Sequence, residues 1–196
     1  MCIRDRFISK FGTQGSGNGQ LNNPNGICLD LNGQIFISDN GNNRISVFES
    51  DGTFAYHISN NNLSSPWGLA FDPSGNIHVA NNKSNCIVVF SSDGRYIEQY
   101  PSKVDNPTGI TIDEEGHSII AGSFTNFCVF LSIKFNTFTY DCFTILDPSH
   151  QTTTKKRIGH ELTRGGATGI AIDKEGIIYI CCQSTWQVYM FEYRLV

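Results

Sequence analysis

The sequence has no apolar run long enough to cross a bilayer, which removes membrane-spanning proteins from consideration. A spanning helix needs about 18 or more consecutive apolar residues, and no stretch of the 196 residues comes near that length. No long window shows the 3.6-residue apolar period of an amphipathic helix either. The formal net charge is only −4, so composition indicates neither a membrane surface nor DNA as a partner.

The seven cysteines include no CxxC pair, the spacing that many zinc sites and redox sites use. Most of them fall inside predicted strands, which favours buried free thiols in a reducing, cytoplasmic compartment over disulfides or zinc. The adjacent Cys181 and Cys182 would point to opposite faces of a strand, so they are poor ligands for one metal ion. We therefore predict no metal and no other cofactor.

The chain does contain a repeat. Gly26, Gly68, Gly109 and Gly169 stand in similar seven-residue runs and are spaced by 42, 41 and 60 residues. The aspartates that end these runs and the next glycine after each of them keep the same three spacings. A strand-rich period near 42 residues is typical of a propeller or a solenoid.

One repeat is predicted to be a meander of four strands. The strands are Gly26–Leu29, Gln34–Ser38, Arg44–Phe48 and Thr53–Ile58, and the first turn is Asp30–Gly33. Such a sheet forms one propeller blade, which buries its faces against the neighbouring blades. The predicted fold is therefore all-β, a β-propeller of four-stranded antiparallel blades. We expect the four repeats at about 21–58, 63–100, 104–146 and 164–196, with an insertion loop at about 147–166.

The stretches Phe11–Ile27 and Ile37–Phe48 closely resemble the NHL repeat. The resemblance implies a propeller of six blades, so four repeats would be part of a truncated domain spanning residues 7–196. Residues 1–6 resemble a translated adapter leader and are left out of the functional reasoning. Residues 7–11 look like an outer strand that could close the ring by pairing with the last blade.

The connections of such a meander divide between two rims. The turns after the first and third strands form the turn rim, where 10 of the 18 acids fall. The loops before the first strand and after the second strand form the loop rim, where an anion or a stacking ligand would bind. The candidate binding residues on the loop rim are Asn25, Asn43, Arg44, Trp67, Lys83, Asn85, Phe124, Lys155, Lys156, Arg157, Arg164 and Trp186.

Each candidate also has a structural explanation. Trp67 could plug the mouth of the channel, and Arg44 could pair with Asp39. The asparagines suit turns first and ligands second, and the basic run 155–157 could be a solvated loop. Phe124 and Trp186 are the better candidates for exposed aromatic platforms.

Three functions remain open. The resemblance implies a non-catalytic module that binds a protein partner, as at the end of multidomain tripartite-motif ubiquitin ligases. Single-stranded RNA is the alternative ligand of the same rim, because aromatic platforms and a basic track bind bases and phosphates. A metal-dependent lyase or lactonase-like enzyme fits less well, because the histidines occupy unlike positions in their repeats. These histidines are His57, His78, His117, His150 and His160.

Overall fold

A computed structural model describes residues 7–102, 104–122, 128–132, 167–174, 177–182 and 187–192. The strands are β1 (Thr13–Gln14), β2 (Gln20–Leu21), β3 (Pro24–Leu29), β4 (Ile35–Asp39), β5 (Arg44–Phe48), β6 (Phe54–Ser59), β7 (Pro66–Phe71), β8 (Ile77–Asn81), β9 (Cys86–Phe90), β10 (Tyr96–Pro101), β11 (Pro107–Ile112), β12 (His117–Gly122), β13 (Cys128–Ser132), β14 (Ala167–Ile172), β15 (Ile177–Cys182) and β16 (Gln187–Glu192). Two short 3-10 turns are η1 (Asn40–Asn42) and η2 (Asn82–Ser84). Within these ranges no helix is long and apolar enough to span a bilayer.

The predicted blades are confirmed as antiparallel meanders. Blade 1 has the strand order β3-β4-β5-β6, and blade 2 consists of β7, β8, β9 and β10 in the same sequential arrangement. In the described ranges, blade 3 shows β11-β12-β13 and blade 4 shows β14-β15-β16. The fold class is therefore all-β, built from the repeated sheets that the spacing predicted.

The repeated aspartate and glycine build the turn after the first strand of each blade. In blade 1 the carboxylate of Asp30 accepts the N–H groups of Asn32 and Gln34, and Gly33 has φ of 83°. An aspartate that accepts from its own turn, followed by a glycine with positive φ, closes a tight hairpin. Asp72 with Gly75 and Asp113 with Gly116 repeat this arrangement. The shared spacing of these residues therefore has a local structural cause.

The main core lies between the faces of blades 1 and 2. Strand residues alternate between the two faces of a sheet, so Ile45 and Val47 of β5 face blade 2 and are fully buried. Phe36 of β4 meets Phe71 of β7 edge to face, with ring centroids 5.0 Å apart. A second cluster around Ile87, Ile110 and Ile120 lies between blades 2 and 3. Each blade is thus stabilised by burying apolar side chains against its neighbour.

The first strands of the blades line up side by side around a common centre. β3 contacts β7, β7 contacts β11, and β11 contacts β14. A Cβ added to Gly26 would lie 2.1 Å from the carbonyl oxygen of Trp67, and one added to Gly68 would lie 2.8 Å from that of Thr108. The glycine is therefore required because adjacent inner strands touch backbone to backbone.

The N-terminal segment differs from the expectation. Residues 7–11 were predicted to be an outer strand, but residues 7–12 form no strand in the structure. The chain instead makes a short parallel pair, β1 with β2, and Phe11 packs its ring 4.9 Å from that of Phe48. A strand needs a sheet edge for its hydrogen bonds, and no edge of blade 4 pairs with this segment in the described ranges.

Candidate binding site at the channel mouth

A cavity of about 250 Å³ opens where the inner strands begin on the loop rim. It is lined by residues 25–27 of β3, 67–69 of β7, 108–110 of β11 and 169–170 of β14. All four repeats therefore contribute the same segment to one mouth, as the sequence period predicts.

A bulge in each inner strand shapes this mouth. The pairing register shifts between Pro24 and Ile27, between Pro66 and Leu69, and again at the start of β11 and of β14. A bulge leaves a residue outside the regular ladder and re-aims the chain. The bulged positions include Asn25 and Trp67, which line the cavity.

The equivalent residue of blade 3 is Thr108, which the sequence analysis did not select. Thr108 lines the same cavity, is 3% exposed, and its hydroxyl donates to the carbonyl of Ala121 at 3.4 Å. Its place between a proline and the repeated glycine, as for Trp67, was the signal that could have identified it.

Asn43 and Asn85 link adjacent blades. Each ends a 3-10 turn with a left-handed backbone, φ of 51° and 50° respectively. The side-chain oxygen of Asn43 accepts the N–H of Ser65 at 2.8 Å, and that of Asn85 accepts the N–H of Asn106 at 2.7 Å. Asparagine is among the few residues that tolerate this conformation. The carboxamide oxygens are therefore used within the fold, which is the structural explanation anticipated for the asparagines.

Arg44 is buried and used inside blade 1. Its Nε donates to the Asp39 carboxylate at 2.7 Å, which confirms the pairing considered from the sequence. Its terminal nitrogens donate to the carbonyls of Ser16, Gly17 and Gln20 at 2.8–3.2 Å. The rigid fork of the guanidinium suits this set of acceptors. Arg44 therefore fastens the segment before β3 to the blade rather than presenting a charge at the rim.

Lys83 and Asn25 remain as exposed polar candidates, and Trp67 is half-buried at the cavity. Lys83 lies in η2, where its backbone N–H donates to the carbonyl of Ser64. The other six predicted site residues lie outside the described residues and stay predictions. They are Phe124, Lys155, Lys156, Arg157, Arg164 and Trp186.

No described residue that lines the mouth carries a titratable side chain. The described histidines lie elsewhere. His57 is in the outer strand β6 and His78 is in β8, so their unlike positions are confirmed. His117, expected in a turn, is the first residue of β12. Acid–base chemistry would therefore have to come from other residues than those at this mouth.

The histidines of blades 2 and 3 pair with the turn aspartates. The His117 ring nitrogen lies 2.6 Å from the Asp113 carboxylate, and His78 lies 3.4 Å from Asp72. Burial lowers the pKa of His78 more than Asp72 raises it. Burial alone would raise the pKa of Asp113, but hydrogen bonds from His117 bring it below its usual value. Asp113, Glu115 and His117 have ligand atoms within 4.8 Å of one another, but the Asp113–His117 contact follows the pattern of the Asp72–His78 pair.

Relatives of the chain share short stretches with it. Protein lin-41 of Caenorhabditis elegans is 47% identical over 47 residues, which is 24% of this chain and 4% of that protein. The E3 ubiquitin-protein ligase TRIM71 of Rattus norvegicus is 43% identical over 47 residues, 24% of this chain and 6% of that protein. The human tripartite motif-containing protein 2 is 36% identical over 52 residues, 26% of this chain and 7% of that protein. The chain thus matches only a small part of each relative.

Solved structures confirm the fold. A streptogramin B lyase superposes with a TM-score of 0.58 at 18% identity, covering 88% of this chain and 55% of that one. A catalytically inactive virginiamycin B lyase from Staphylococcus aureus gives 0.60 at 16% identity, covering 87% and 55%. The chain spans about half of these structures, and at such identities the likeness concerns the fold alone.

The family profile of the SMP-30/gluconolactonase/LRE-like region matches residues 18–120, which are blades 1 and 2 and most of the described part of blade 3. The chain belongs to the SMP-30/gluconolactonase/LRE-like family of β-propellers, and its repeats are related to the NHL repeats of the tripartite-motif proteins TRIM71 and lin-41.

Proposed function

We propose that the chain is a non-catalytic binding module whose loop rim holds a segment of a protein partner at the channel mouth. The observation that carries the proposal is the composition of the mouth. Asn25, Trp67 and the repeated inner-strand glycines surround an open cavity that no described titratable side chain lines. Such a surface can hold a ligand by shape, aromatic contact and hydrogen bonding, but it has no described group to transfer a proton.

The size of the cavity favours the side chain of a partner over a small molecule. Pockets for drug-sized ligands run from about 300 to 1,000 Å³, and this one is about 250 Å³. Half-buried Trp67 offers an aromatic wall, and tryptophan is enriched among the residues that dominate protein interfaces. A partner segment that inserts one side chain beside Trp67 would fit this geometry.

The relatives suggest the wider role. One of them is named an E3 ubiquitin-protein ligase, and this chain contains no cysteine and histidine spacing of the RING type. We infer that the propeller is the partner-binding end of a multidomain protein of that kind, with ubiquitin transfer performed by other domains.

The described charges favour protein over RNA. Arg44 is buried in its bonds to Asp39 and to backbone carbonyls, which leaves Lys83 as the exposed cation of the loop rim among the described residues. Single-stranded RNA needs a basic track along its phosphates. RNA is therefore an outcome to be tested rather than a second proposal.

The test begins with peptides selected from a displayed library on the purified chain. Their affinity is then measured by fluorescence anisotropy for the wild type, Trp67→Ala and Asn25→Arg, with Tyr96→Ala on the outer strand β10 as the matched aromatic control. We expect Trp67→Ala and Asn25→Arg to weaken binding by about tenfold or more and the control to leave it unchanged. Peptides that bind all variants equally would overturn the proposal. A labelled random single strand of RNA whose binding falls steeply with salt and is lost in Lys83→Ala would replace protein with RNA.

A further inference from the structure

A second and larger cavity, of about 610 Å³, opens on the turn rim. Its walls come from the other ends of the same inner strands, at residues 29–32, 71–73 and 112–114, with Gly75 and Ser92 completing the lining. These segments follow the loop-rim lining by three to five residues, which is about 10–16 Å along a strand. The two cavities therefore face opposite sides of the propeller.

The inner wall of this turn-rim cavity is apolar. Leu29, Phe71 and Ile112 occupy the same position in three successive blades and all line the cavity. Leu29 is 64% exposed, and Leu31, in the turn that follows, is fully exposed. Apolar side chains gathered at an open concave site and rimmed by polar groups mark interaction sites.

The edge of the cavity is acidic. Asp30, Asp72 and Asp113 each follow one of the apolar wall residues, and Glu114 adds a fourth carboxyl group. Burial alone would raise the pKa of Asp72, but hydrogen bonds from Asn76 lower it below its usual value, so this group is ionised at neutral pH. No lysine or arginine is present among the residues that line this cavity.

The aspartates keep their negative charge although they hold the turns. Asp30 and Asp72 each accept two backbone N–H groups of their own turn, which uses part of the carboxylate's capacity but neutralises none of its charge. His78, packed against Asp72, has its pKa lowered by burial and so contributes no cation at neutral pH. The concave wall raises the effect of the summed negative charge on an incoming ligand.

We propose that the turn-rim cavity binds an extended peptide segment of a protein partner that presents one large apolar side chain flanked by lysine or arginine. The apolar side chain would lie against Leu29, Phe71 and Ile112, and the cationic groups would reach the carboxylates at the edge. Charge complementarity would orient the segment and speed its association. This surface is separate from the loop rim and would let the propeller contact two segments at once.

The probe is a fluorescein-labelled nine-residue peptide with a central leucine, four lysines and glycine elsewhere, titrated by anisotropy at low salt. One comparison peptide replaces leucine by serine and another replaces the lysines by glutamates. We expect only the lysine–leucine peptide to bind well. Leu31→Ser should weaken it by about threefold, and Glu114→Lys, which reverses a charge at the edge, by about tenfold.

Two matched controls lie on the outer strand β10. Ile97→Ser and Glu98→Lys make the same chemical changes at exposed residues away from the cavity and should leave the affinity unchanged. Trp67→Ala should also leave it unchanged, which separates this site from the loop rim. The proposal is overturned if no binding is seen, if the serine peptide binds equally well, or if the β10 variants weaken binding as much as the cavity variants.

Discussion

Replacing Gly26 by alanine tests the claim that the inner strands meet backbone to backbone. The added Cβ would lie 2.1 Å from the carbonyl oxygen of Trp67 and 3.0 Å from the Ser38 hydroxyl. That hydroxyl accepts the N–H of Gly26 at 2.6 Å and donates to the Trp67 carbonyl. The obstacle is thus a hydrogen-bonded backbone group, which no side-chain rotation can move away.

The expected cost follows from this geometry. Contacts below 3.0 Å are essentially never made by real Cβ atoms, so β3 and β7 must separate by about 1 Å, which loosens the packing of blade 1 on blade 2. Overpacking of this kind costs about 1–3 kcal/mol, and a rigid obstacle places the Gly26→Ala variant near 3 kcal/mol. For a chain of this size, each kcal/mol lowers the melting temperature by about 2–4 °C, so we expect a fall of about 6–12 °C.

Thermal unfolding followed by circular dichroism measures this change, with Gly17→Ala as the control. At Gly17 the nearest atom to an added Cβ is the side-chain oxygen of Gln20, 3.0 Å away, and this exposed side chain can rotate. The control should change the stability by less than about 0.5 kcal/mol. Equal melting temperatures for Gly26→Ala and Gly17→Ala would refute the close approach of the inner strands.

Three further predictions concern buried polar groups. Arg44→Lys loses the guanidinium fork on Asp39 and on the segment before β3, so it should cost about 2 kcal/mol and speed proteolysis within residues 13–21; unchanged cleavage would contradict this. The pKa of His78 is lowered below its ordinary 6.5, so the unfolded chain binds more protons and the free energy of unfolding should fall as the pH drops below that value; chemical denaturation at neutral and acidic pH should show a smaller fall in His78→Phe than in the wild type, and equal falls would disprove the assignment. Burial and then Asp30 raise the pKa of the Cys28 thiol to about 12, so its alkylation, mapped by mass spectrometry, should be on the order of 100 times slower in the folded protein than in urea; comparable rates would show that the thiol is accessible.

Much of the fold could be predicted because its signals are local. The aspartate that accepts from its own turn and the glycine with positive φ are separated by three residues, so Asp30 with Gly33 predicted a hairpin that the structure confirms. The pairing of Arg44 with Asp39 could be anticipated for the same reason, since the two residues face each other across β5 and β4. The outer strand expected at residues 7–11 did not form in the structure, because strand formation depends on a distant partner edge.

The candidate site was less predictable, because its residues meet through contacts between blades. Asn43 looked like a free loop asparagine, yet its side chain accepts the N–H of Ser65 in the next blade. Thr108 was overlooked although it occupies the position of Trp67 in its own repeat, because threonine by itself suggests no ligand. The six candidates outside the described residues stay predictions.

The sequence by itself determined the blades, because hairpin turns, strand alternation and the 42-residue spacing depend on neighbours within a few residues. Only the tertiary structure decided which surfaces exist at the two ends of the inner strands. Leu29, Phe71 and Ile112 are about 41 residues apart in sequence, and packing around a common centre brings them into one acidic, apolar cavity. That juxtaposition depends on the angle between successive blades, which the long-range contacts of the backbone set and no local pattern encodes.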